Sequence, residues 1–260
     1  MHNLLSCEFV KLKRKKIFPF ALLAAFVFPV LGSALIVGRS STDFADMMSF
    51  AREESGFLLL MPLLVILASN LFFSEQDNDT LKNLLCIPVS KSRLVLVKLL
   101  VLLIFSGVFQ IVGFAVSTGI AVLYHIPLIS LPLQFALTVA IGLLLWAAAL
   151  PCIVLVIWFN KSYIFSVIIV FFYTLLNYAM RLSDAILMQP LGFNAGTLMP
   201  IPMIFRWLYQ FNIPAGEIQT AFYNRFSPYF ASTSVCFSVL LIEAAACVIL
   251  MIGIYRRREI

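Results

Sequence analysis

Long apolar runs separated by short, densely charged joints organise this chain. Ile17–Gly38 and Ser55–Ser74 contain no Asp, Glu, Lys or Arg. Each suits one helix, since about 20 residues cross a hydrocarbon core of roughly 30 Å. Leu99–Asn160 is uncharged throughout and too long for a single crossing; Pro127 and Pro132 in YHIPLISLP divide it into helices over 95–123 and 133–159. Ser162–Met180 and Ser232–Ile254 supply two more runs. The pattern predicts an all-α membrane protein. It forms one transmembrane domain over residues 1–260, with six spans near 17–38, 55–74, 95–123, 133–159, 162–180 and 232–254.

Three smaller elements fall between or before the runs. Residues 2–16 read as an interfacial helix: Leu5, Phe9 and Leu12 share one face, and the lysines and Arg14 reach for anionic headgroups. An unstructured orientation signal fits the same residues. Residues 181–231, with GTLMPIPMIFRWLYQFNIPAGE, are apolar enough to suggest a further crossing. Pro200, Pro202, Pro214 and Arg206 interrupt them. Short re-entrant or interfacial helices follow, with Trp207, Tyr209 and Phe211 at headgroup level. The third element is DNDTLKNLLCIPVS. Asp79 or Thr80 caps a short helix whose Leu81, Leu84 and Leu85 form one stripe. Pro88 ends it, because the residue before a proline is pushed out of helical geometry, and Ser90 caps the next helix. Isolated helices this short are marginal in water, so this one needs a surface to pack on.

Charge sets orientation. Lys11, Lys13, Arg14, Lys15 and Lys16 precede the first run, and Arg256, Arg257 and Arg258 follow the last. Lys82, Lys91 and Arg93 lie in the loop 75–94, whereas the loop after the first run sets Arg39 and Arg52 against Asp43, Asp46, Glu53 and Glu54. The positive-inside rule then places both termini and the loop 75–94 in the cytoplasm of a multi-pass inner-membrane protein, and the loop after the first run outside. The chain is 62% hydrophobic and 12% charged, against about 25% charged for soluble domains. Its net charge of +6 collects at span ends, which argues for lipid headgroups and against nucleic acid. Five scattered cysteines without CxxC spacing suggest neither disulfides nor a metal site.

In the order acid, T-L-K-x-L-L, P-V-S and K-x-R-L-x-x-x-K, residues 75–98 resemble the type-2 ABC permease family, the membrane subunits of bacterial ATP-binding-cassette exporters. Glu75, Thr80, Leu81, Lys82, Leu85 and Pro88 carry the likeness, continued by Val89, Ser90, Arg93 and Lys98. Asp79 stands where that family usually has Gly. EFVKLKRKKIF at the N-terminus is similar to the branch of bacitracin-resistance and lantibiotic-immunity permeases. The resemblance implies that the segment is a cytoplasmic coupling helix between spans two and three, seated in a separate ATPase subunit. Glu75, Asp79, Thr80, Leu81, Lys82, Leu84, Leu85, Pro88 and Arg93 would then transmit ATP-driven closure. It also implies a homo- or heterodimer of permeases, with ATP bound by the partner ATPase and no cofactor here.

The chain carries no P-loop, no HExxH and no Ser–Lys dyad, so catalytic, cofactor and metal residues are not expected. Glu243 is the one acid that this reading places inside a span, near the bilayer midplane. It is a candidate contact for a cationic substrate or a partner subunit, or a structural carboxylate bonded to Asn177, Asn70 or Gln110. A secondary transporter would show more ionisable residues in its spans, and an accessory scaffold would lack an adjacent ATPase gene.

Overall fold

Leu5, Phe9 and Leu12 lie three to four residues apart, the spacing of one helical face, and helix α1 (His2–Lys13) turns that face onto the protein. The structure is a computed structural model that describes residues 2–15, 17–37, 43–77, 90–159, 163–212, 214 and 216–257. After α1 come α2 (Ile17–Val37), α3 (Phe44–Ser49), two π-helical stretches (Phe50–Glu54 and Gly56–Leu60) and α4 (Met61–Asp77). Next are α5 (Lys91–Leu123), α6 (Leu131–Phe159) and α7 (Tyr163–Arg181). Four short helices follow: α8 (Asp184–Leu187), α9 (Ala195–Leu198), α10 (Pro200–Leu208) and α11 (Glu217–Phe226). The last is α12 (Thr233–Arg257). Among the described residues, 6 helices are long and apolar enough to cross a membrane.

The six helices alternate in direction, and side-chain contacts identify the two ends of the bundle. Phe72 near the end of α4 meets Tyr255 of α12 edge-on at 5.9 Å, and Arg256 donates to Ser92 Oγ at the start of α5. α1 reaches the same end through Glu8 and Lys98 of α5, so the first and last helices share one end, which also carries Lys11, Lys13, Arg14, Lys91 and Arg93. At the opposite end Ile36, Phe44, Met47, Met48 and Ala121 form a satellite core. The predicted break between spans three and four is present, with His125 and Ser130 in left-handed conformations around the Pro127 turn.

The second span differs from its sequence reading. It starts at Phe44 instead of Ser55, so Arg52 and Glu53, assigned above to an outside loop, are buried within a continuous helical rod. The reason is mutual satisfaction: each of these charges finds a partner from a distant helix, and the segment no longer needs water. In the π-helical stretches the turns widen to i→i+5, a geometry that recurs at functional positions. Gly32 of α2 makes room for the Phe50 ring, which stacks on Phe28 with centroids 5.6 Å apart.

The described residues of 181–231 fold into a cap on the end opposite α1 and the end of α12. Every residue of α10 is buried, against α7, α6 and α12. Trp207 is 2% exposed and donates its indole N–H to Thr233 Oγ1 at 3.1 Å. Its ring is thus turned into the protein, not held by lipid headgroups, because the buried N–H has a partner only there. Arg206 is also wholly buried and donates to the carbonyls of Tyr229 (2.8 Å) and Gln189 (2.9 Å). Burial lowers its pKa from the ordinary guanidinium value. Backbone oxygens take the place of a counter-ion here, tying α10 to the loops on both sides.

Candidate functional site

The sequence directs attention to the joint between α4 and α5. Asp79, Thr80, Leu81, Lys82, Leu84, Leu85 and Pro88 lie outside the described residues. Glu75 belongs to the last turn of α4. On the far side Ser90 has an extended backbone (φ −66°, ψ 139°), and its hydroxyl accepts the Arg93 N–H at 3.4 Å, the expected N-cap. Arg93 is exposed.

Both anchors of the joint are tied to the chain's two terminal helices. From α1, Glu8 inserts a fully buried carboxylate toward Lys98 of α5, itself fully buried. Lys98 Nζ stands 3.3 Å from Glu8 Oε2, a charge contact instead of an aligned hydrogen bond, and donates to the Leu71 carbonyl. It also lies 5.3 Å from the centre of the Phe72 ring. The other carboxylate oxygen of Glu8 accepts from Lys11 at 2.6 Å. Sequence reasoning missed Glu8. The signal was present: positions 5, 8, 9 and 12 share a helical face, so an acid at 8 points inward with the apolar residues.

A second cluster occupies the opposite end. Arg181 closes α7 with one guanidinium nitrogen 2.9 Å from Glu53 Oε2 and another 3.1 Å from Glu54 Oε1. Tyr178 donates its hydroxyl to Glu54 at 2.8 Å. The guanidinium packs against the rings of Phe205, Phe57 and Tyr178, 4.8–5.3 Å from their centres. Arg52 donates to Gln134 of α6. Two cations and two anions balance here, and the cluster binds α3–α4, α6, α7 and α10 to one another. Burial, then the charge of Glu53, raises the pKa of the neighbouring Tyr209 phenol.

Glu243 lies midway along α12 and is half-buried. It is not the sole acid inside a span, as the sequence suggested, since Glu53 and Glu54 fall within Phe44–Phe73. The suggested partners are also otherwise disposed. Asn70 and Asn177 donate to the carbonyls of Ile66 and Tyr173 in their own helices, and Gln110 Nε2 lies beside Gly56. Among the described residues no hydrogen bond or ion pair reaches the Glu243 carboxylate.

Residues 4–177 match the sequence profile of the family described as ABC-2 family transporter protein. The match runs from α1 through most of α7 and spans the α4–α5 joint. No curated protein matches the chain.

Proposed function

Because the chain belongs to the ABC-2 family of transporter proteins, a membrane component that works with an ABC ATPase, we propose that it is the permease subunit of an exporter. Its cargo is a hydrophobic or peptidic compound, with antimicrobial peptides of the bacitracin or lantibiotic kind the favoured example and resistance or immunity the outcome. The family match across the α4–α5 joint carries the reading. In this proposal residues 79–87 form a coupling helix in an ATPase groove, and Glu75 and Arg93 flank it on α4 and α5. Two permeases, alike or different, enclose the path. The basic end faces the cytoplasm of the inner membrane, supported by Lys11, Lys13, Arg14, Arg256 and Arg257.

A photocrosslinking residue at position 84 is expected to capture the ATPase, while one at position 46, at the opposite end of the second span, captures none. Capture from position 46 alone would reverse the orientation and defeat the proposal. Glu243 is proposed as a contact for a cationic cargo. Glu243→Gln should then reduce transport or resistance by at least tenfold with normal membrane insertion; an unaltered Gln variant would leave the residue a structural role only.

A further inference from the structure

At the end that carries both termini, a groove of about 510 Å³ opens on the outer surface of the bundle between α6 and α12. Trp158 forms one wall, and Ile249, Leu250, Gly253, Ile254 and Arg257 form the other. Ile249, Gly253 and Arg257 are spaced by four residues, so they make one line along α12, apolar at its deeper end and cationic at its rim. That line is about 12 Å long at 1.5 Å per residue. Gly253 keeps the middle of the groove open, since a Cβ built there meets nothing within 4 Å. The two arginines at the end of α12 have separate tasks. Arg256 is engaged with Ser92, whereas Arg257 lines the groove.

We infer that this groove binds one anionic phospholipid, with an acyl chain along Ile249, Leu250 and Gly253 and the headgroup phosphate at Arg257. The chemistry of the groove selects the ligand. Its floor is hydrocarbon and lies on the bilayer-facing surface, where Ile249 is 69% exposed and Leu250 52%. Its rim combines a cation with Trp158, itself 66% exposed, and amphipathic tryptophan rings favour the headgroup level of a bilayer. A basic residue near an anionic lipid surface contributes a preference of roughly fivefold. A free phosphate would use the rim and leave the apolar floor uncovered, so the lipid is the occupant that satisfies both parts.

Full-length protein in detergent, titrated with phosphatidylglycerol or with phosphatidylcholine of the same chains, tests this by native mass spectrometry. One phosphatidylglycerol should be retained in preference to phosphatidylcholine. Arg257→Ala should reduce that preference roughly fivefold. Gly253→Leu should abolish retention by filling the groove, since it leaves the arginine in place and a Cβ there meets nothing within 4 Å. Arg93→Ala, an exposed arginine at the same end, should leave the lipid preference unchanged. Phosphatidylglycerol should also raise the melting temperature of the unaltered protein more than that of Arg257→Ala. Equal retention of the two lipids, or an unchanged preference in Arg257→Ala, would overturn the site. So would efficient crosslinking between two copies through a cysteine at position 250, which would assign the groove to a second chain. ATPase capture at position 84 is independent of all these outcomes.

Discussion

Replacing Leu84 and Leu85 together by Ser is expected to release the ATPase from the membrane fraction and abolish ATP-dependent function. The proposed coupling helix is too short to persist alone in water, so its docking energy comes from burying the Leu81, Leu84 and Leu85 stripe. Each fully buried leucine is worth about 1.5–3 kcal/mol. Losing two weakens the complex by at least about a hundredfold. Insertion and folding of the spans should survive, since the segment contributes nothing to the apolar runs. Co-purification of the ATPase with each variant in detergent measures the effect. Undiminished co-purification and activity in the double Ser variant would remove the coupling-helix reading.

Arg181→Met is the second change with a large expected effect, here on stability. It leaves Glu53, only 6% exposed, and Glu54 facing each other without their shared cation. Breaking a buried pair from one side costs roughly 3–5 kcal/mol. For a chain of this size that lowers the melting temperature in detergent by on the order of 10 °C. Adding Glu53→Gln should recover much of the loss, because the uncompensated charge is then gone while the helix packing remains. A melting temperature unchanged by Arg181→Met would show that Arg52 and the surrounding amides neutralise the two carboxylates without it. Failure of the double variant to recover would instead assign Arg181's contribution to its packing against Phe57, Tyr178 and Phe205.

The positions of the six apolar helices, the break at Pro127 and the Ser90 cap were legible because each depends on neighbours within a few residues. The shared face of Leu5, Phe9 and Leu12 on α1 was legible in the same way, but not that it packs on the protein. What could not be read depends on partners far along the chain. Arg52, Glu53 and Glu54 resemble a solvated loop until Gln134 and Arg181 are brought against them, 82 and 127–128 residues away. Counting charges therefore began the second span too late, at Ser55 instead of Phe44. Glu8 was hidden differently, within a basic stretch whose lysines suggested only a lipid surface. Lys98 carried the family resemblance, but nothing local announced that its charge would be neutralised by the N-terminal helix. In α10 the apolar composition was plain, yet its burial rests on Arg206 finding carbonyls at 189 and 229.

The ion pair between Glu53 and Arg181 also sets a timetable. The ribosome adds about 5–20 residues per second, so the 128 residues between them take roughly 6–26 s to synthesise. Throughout that interval Glu53 and Glu54 lack their cation from the fifth span. An unpaired charge at membrane depth costs about 2.5–3.5 kcal/mol on insertion scales. Phe44–Glu54 is therefore expected to reach its final depth only once Arg181 has been made, an order that crosslinking of arrested nascent chains would check. On that expectation, assembly of this end of the bundle waits on its latest-made part.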